Sequence, residues 1–248
     1  MLAIYRKELK SYFITPVGYV YTGIFLAISA LLFSYSTFMS KTYDISGYFS
    51  MMIFVFVVLI PLLTMKLFSE EKKLRTEQML LTSPVTITGM VMGKYLAALT
   101  MFVGPLLISC VNFIPLYAVA ARERAEAASS SIHIGPSDAQ VIGCIVGIIL
   151  VGAAFVAVGM LISTLTENQL AAAVLSVAAL LAMIVVGFAN SFISSYAVRF
   201  VLDWISVLSR FSYFGYGIFD FAALLYYLSL TSVFIFLTIR VYEKRRWG

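Results

Sequence analysis

Six charged side chains fall within eight positions: Glu70, Glu71, Lys72, Lys73, Arg75 and Glu77. They belong to SEEKKLRTEQMLLTSPVT, residues 69–86, a water-facing island between two long apolar runs. The chemistry open to such a cluster is ionic contact with another macromolecule. On a helix over 69–82, Glu71 precedes Arg75 by four and Lys73 precedes Glu77 by four; the first pair has the favoured orientation. Leu67, Leu74 and Leu81 repeat every seven residues and share a face. Ser83-Pro84 ends the helix, because the residue before proline is pushed out of the α region. The segment therefore reads as a short amphipathic rod carrying both signs of charge. A solvated loop that merely supplies positive charge is the competing reading.

Bond-making chemistry has few candidates. There is one histidine, His133, in a polar loop without neighbouring cysteines, and this cannot close a zinc site. Cys110 and Cys144 lie inside apolar runs and read as small buried hydrophobes. Gly89-Met-Val-Met-Gly93-Lys94-Tyr95 has three residues between its glycines and Tyr after the lysine. A phosphate-binding loop needs four and then Ser or Thr. Its glycines read instead as close-packing positions, with Lys94 snorkelling to the membrane surface. Neither H-E-x-x-H nor G-x-S-x-G occurs. The chain is expected to be no enzyme and to hold no cofactor, metal or nucleic acid.

The elements that position the charged island are apolar. The chain of 248 residues is 62% hydrophobic and 12% charged, with mean hydropathy +0.99; soluble proteins carry about 25% charge. The fold class is an all-α membrane protein of one transmembrane domain over 1–248. Six runs reach the length of about 20 residues that a bilayer core needs: 17–40, 48–68, 89–120, 140–163, 169–190 and 216–240. The third is overlong, and Pro105 and Pro115 should kink or end it. With both termini on one side, that side holds 12 of the 17 Lys and Arg residues and the other holds 5. The asymmetry places both termini and residues 69–86 in the cytoplasm.

Residues 2–13 read as a helix in the interface, with Leu2, Tyr5, Leu9, Tyr12 and Phe13 on one face and Arg6, Lys7 and Lys10 toward anionic headgroups. Arg199, Asp203, Ser206 and Arg210 recur at i, i+4, i+7 and i+11, a polar stripe on an outer amphipathic helix within 191–215. Trp204 suits the headgroup zone. Arg199 and Asp203 pair across one turn. This helix is either parked in the interface or lids the mouth of a pathway. In the second inner loop, residues 163–169, Thr166-x-x-Gln169 is a capping box for the fifth span. Gly143-x-x-x-Gly147, with Ala172, Ser176 and Ala179, presents small faces for close helix contact, expected within one protomer, with a dimer seam as the alternative. Asn112 and Asp220 are polar groups in or at spans.

The island resembles the coupling segment of ABC-2-type transporter permeases, E-E-(R/K)-(R/K)-x-G-T-x-E-x-L-L-x-x-P-V. Glu70, Glu71, Lys72, Lys73, Thr76, Leu80, Leu81, Pro84 and Val85 are in register. Arg75 stands where glycine is common and Gln78 where an acid is common, with Glu77 adjacent. The opening YRKELKSYFITPVGYV, the loop STLTENQ and the ending FDFAALLYYLSLTSVFIFLTIRVYEKRRW resemble the gliding-motility-type branch. The resemblance implies a six-helix permease half in the inner (cytoplasmic) membrane that moves a substrate, export being the expected direction. It works as a dimer with a second permease chain and two copies of a cytoplasmic ATPase, which holds ATP and Mg. The ATPase would meet Glu70, Glu71, Lys72, Lys73, Arg75, Thr76, Glu77, Gln78 and Pro84, with Thr164, Thr166, Glu167 and Asn168 of the second loop. An outward-facing accessory subunit is also implied, and the helix of Arg199, Asp203, Trp204 and Arg210 would match the family's re-entrant outer helices. Two alternatives stand beside this: a secondary transporter, for which no internal repeat or mid-span acid speaks, and a membrane scaffold anchoring ATPase-linked surface machinery.

Overall fold

A computed structural model describes residues 1–40, 42–75, 86–126, 135–189 and 206–247. Among the described residues every regular element is helical. Helix α1 (Leu2–Ile14) stops at Thr15, which is extended as a residue before proline must be. Pro16 then opens α2 (Pro16–Phe33), where its missing N–H has no helical partner to lose. A π-helical stretch, Ser34–Met39, prolongs α2. Next come α3 (Ser46–Thr64) and α4 (Lys66–Lys73). Thr86 caps α5 (Ile87–Ser109), accepting from the Gly89 N–H at 3.3 Å. After α6 (Phe113–Glu126) come α7 (Asp138–Leu165) and α8 (Gln169–Ala189). Last are α9 (Val207–Gly215) and α10 (Phe221–Trp247).

Among the described residues, six helical segments are long and apolar enough to cross a membrane: Pro16–Thr37, Ser46–Lys73, Ile87–Ala125, Asp138–Leu165, Gln169–Gly187 and Phe221–Arg246. They match the six predicted runs, with two corrections. The last begins at Phe221 rather than at 216, because residues 216 and 217 form a turn and 218–220 are irregular. Gly217 has φ +72, and a side chain there would press to 3.1 Å from the Gln140 backbone nitrogen. The third passes through Pro105 unbroken and breaks at a 3-10 turn, Cys110–Asn112. Pro115 lies in the first turn of α6, so the ring that cannot bond backwards sits where no bond is needed. At the break, Asn112 donates to Ser29 Oγ at 3.3 Å, and Ser29 shares a 2.8 Å hydrogen bond with the Tyr48 hydroxyl.

Helix α7 is the hub. It packs against α3, α4, α5, α8, α9 and α10, and 72% of its apolar window is buried against 28% in α2 and 22% in α8 and α10. Small residues let neighbours approach it. Gly147 meets the Phe214 ring of α9, Gly152 the Phe102 ring of α5, and Gly159 the Thr64 side chain of α3. The predicted Gly143–Gly147 face thus packs within the chain. Phe25, Phe56 and Phe102 join α2, α3 and α5 in front of Gly152, with ring centroids 5.9 and 4.9 Å apart. At the end away from the termini, the Gln140 amide donates to Asp44 at 2.7 Å and to the Gly215 carbonyl at 2.8 Å, tying α7 to the start of α3 and to α9.

Candidate functional site

The charged island begins inside the bundle. Helix α4 buries Leu67, Phe68 and Ser69, while Lys73, Leu74 and Arg75 are exposed. Its base is held by Ser163, a fully buried residue of α7. The Ser163 hydroxyl accepts from the Phe68 and Ser69 N–H groups and donates to the Met65 carbonyl, each at 3.2 Å. The contact sits at Met65, the single turn residue that separates α3 from α4.

Lys94 of α5 is the most unusual residue here. Only 1% of it is exposed. Its ammonium donates to the Leu67 carbonyl at 2.7 Å, to Glu71 Oε1 at 2.8 Å and to Glu8 Oε1 at 3.1 Å. It also lies 5.0 Å from the Phe68 ring centroid. The expected snorkelling does not occur, because three acceptors match the three donors of an ammonium and no water is needed. Lys7 Nζ stands 3.7 Å from Glu71 Oε1 and 3.8 Å from Glu8 Oε1, so two cations face two carboxylates. Helix α1 adds a neutral anchor: the Tyr12 hydroxyl donates to the Leu63 carbonyl at 2.9 Å. Burial pushes the Tyr12 phenol far above its ordinary range and keeps it a donor.

The far side of α4 is tied to the end of α7. Lys72 donates to the Thr164 carbonyl, and so does Arg245 of α10, at 2.7 Å. Thr166 is extended, so α7 ends with open carbonyls, and two cations complement them and the helix dipole. Arg245 lies 5.6 Å from the Tyr242 ring, which packs on Phe68 at 4.9 Å. Thr164 is buried, Thr166 half-buried, and Glu167 and Asn168 are exposed.

Several expectations for these residues need correction. The helix expected over 69–82 ends at Lys73. Arg75 has φ +57, a left-handed helix stop, and its N–H bonds the Lys72 carbonyl at 3.0 Å as in a Schellman ending. The Glu71–Arg75 helical pairing therefore does not form as drawn, and Glu71 turns inward to Lys94 instead. Leu67 is buried whereas Leu74, one residue past the end of α4, is 64% exposed, so the buried apolar face does not continue to Leu74. Thr166 is not the cap of α8: its hydroxyl bonds back to the Ile162 carbonyl at 3.2 Å, and Asn168 Oδ1 caps the Leu170 N–H at 3.0 Å. Ser206 interrupts the proposed polar stripe, since it is extended and caps α9 through the Ser209 N–H at 3.2 Å. Arg210 of α9 lies 6.0 Å from the Tyr226 ring. Thr76, Glu77, Gln78, Pro84, Arg199, Asp203 and Trp204 lie outside the described residues.

The structure thus joins Glu71 and Lys72 to Thr164 and to residues the sequence reading missed: Glu8, Ser163, Tyr242 and Arg245. What the arrangement does chemically is hold a short ionic lever in place. Its tip is exposed, and its root is buried among six other helices: α1, α3, α5, α7, α8 and α10.

The sequence profile of the ABC-2 family transporter protein family matches residues 10–134, about half of the chain, including the first three spans and the charged island. The chain belongs to this family. No curated protein sequence matches it.

Proposed function

We propose that this ABC-2 family chain is the membrane half of a transporter driven by a separate cytoplasmic ATPase, with α4 as the part the ATPase moves. The observation that carries the reading is the form of α4: an exposed charged tip, Lys73 to Arg75, on a root buried at Lys94 and Ser163. A push on the tip reaches α1, α5, α7 and α10 without crossing a loop. Both termini lie in the cytoplasm on this reading, and α1 lies in the inner interface with its basic residues at the headgroups. The working unit is a dimer with two ATPase copies, ATP and Mg bind to the ATPase, and this chain performs no catalysis. Transport is a population shift: nucleotide closes the ATPase pair and α4 follows, and the helices packed on it rearrange. Export, an outward-facing accessory subunit and membership of the gliding-motility-type branch complete the proposal; the opening and ending segments support the branch.

Co-purification from native membranes tests it. The wild-type chain is expected to carry an ATP-hydrolysing subunit. Replacing the exposed Lys73 and Arg75 together by Glu should release that subunit while the chain stays folded. A wild-type chain that never captures an ATPase, or a charge-reversed chain that keeps it with unchanged affinity, would refute the reading.

A further inference from the structure

Lys94 has two carboxylates where one would neutralise it, and they come from different bodies. Glu8 rides on α1, which is fastened to α5, the helix of Lys94 itself. A side chain at Gly93 would meet the Met1 carbonyl at 3.1 Å and Ile4 Cγ2 at 3.2 Å, and the Tyr5 hydroxyl shares a 3.1 Å hydrogen bond with Thr100. Glu71 rides on α4, whose tip is exposed. The shorter bond, 2.8 Å, goes to Glu71 and the longer, 3.1 Å, to Glu8.

We propose that Glu8 is a reserve counter-ion that lets α4 leave Lys94 without stranding a buried charge. Breaking a buried ion pair is strongly unfavourable when one charge is left alone. Here the exchange leaves no buried charge alone. As Glu71 departs, Lys94 stays paired with Glu8, which moves with it. Glu71 is carried toward the exposed tip of α4, where water solvates a carboxylate, while Lys7, whose side chain is 62% exposed, stays on α1 beside Glu8 and is itself solvated. Glu8 is thus a positioning residue for the movement of α4. The inference rests on the proposed role of α4, which it deepens by naming the residue that makes the movement reversible.

The two carboxylates then act with opposite sign. Glu8→Gln removes the reserve, so α4 opens less often. Glu71→Gln removes the tether, so α4 opens more often. Hydrogen exchange of the amides of residues 67–73 in the full chain, in phosphatidylcholine nanodiscs, reads the opening directly. Relative to wild type, Glu8→Gln should slow this exchange and Glu71→Gln should speed it, each by about tenfold, the scale of one charge-assisted hydrogen bond. Both substitutions keep side-chain shape, and the amides of α2, which packs on α1, α3 and α5, report whether the fold is intact. If both variants speed exchange, or neither changes it, the carboxylates are only structural and the proposal fails. The same measurement on the ATPase complex, with and without Mg-ATP, separates the two claims. Opposite signs in the chain alone with no nucleotide response would sink the proposed function and leave the reserve counter-ion standing.

Discussion

Ser163→Ala is the sharpest perturbation of the α3–α4 junction. It deletes one oxygen and leaves the volume almost unchanged. That oxygen makes three hydrogen bonds of 3.2 Å, accepting from Phe68 and Ser69 and donating to Met65. Side-chain hydrogen bonds in membrane interiors average about 0.6 kcal/mol. Three such bonds give a loss of about 2 kcal/mol, roughly 30-fold in an equilibrium constant. The figure is expected to hold because Ser163 is fully buried and water cannot replace its oxygen. Equilibrium unfolding in mixed micelles titrated with sodium dodecyl sulfate, followed by tryptophan fluorescence, gives the difference. Ser163→Thr, which keeps the hydroxyl, should recover part of it. A Ser163→Ala chain within about 0.5 kcal/mol of wild type, the usual range for changes that touch no special feature, would refute the claim that this hydroxyl holds the junction.

Three further outcomes follow from the geometry. Arg75→Gly should stabilise the end of α4 by about 1 kcal/mol, since φ +57 strains any residue with a Cβ; the same titration measures it, and a loss of stability would contradict the helix stop described. Gly152→Ala should destabilise the bundle by about 1–3 kcal/mol, because a methyl there runs into the buried Phe102 ring, and adding Phe102→Leu should return part of that loss. At Asp44, partial burial raises the carboxyl pKa, but the Ser46 N–H, the Ser46 hydroxyl and the Gln140 amide outweigh it and hold the group below 3.8. The stabilisation is therefore complete above pH 3.8 and lost as the pH falls through the lower folded value. Exchange of the Ser46 amide should be steady in relative protection from pH 7 to 5 and lose protection only below 3.8; Asp44→Asn should remove that step.

The spans were legible because lipid imposes a coarse rule: a helix in hydrocarbon needs a continuous apolar run. Small residues on α7 were legible for the same reason, since only close helix contact explains them. The site was less so. Lys94 meets Glu71 across 23 residues and Glu8 across 86, and no local pattern announces either contact. Ser163 looked like a span boundary because its partners lie 94 and 95 residues away. The early end of α4 had a trace in the sequence: glycine is common in the resembled pattern at position 75, where the backbone turns left-handed. Thr166 misled because a Thr three residues before Gln fits a capping box, while Asn168, directly before α8, competes for the same N–H groups with better placement.

Gln140 and Ser163 stand on the same helix, 23 residues and so about 35 Å apart. One grips α9 and the start of α3; the other grips α4. A straight rod that tips by about 5° about its middle carries these two points roughly 1.5 Å in opposite senses, enough to undo hydrogen bonds of ordinary length. Were the fourth span to tilt as one rod, the grips at its two ends would be strained together, on opposite sides of the bundle.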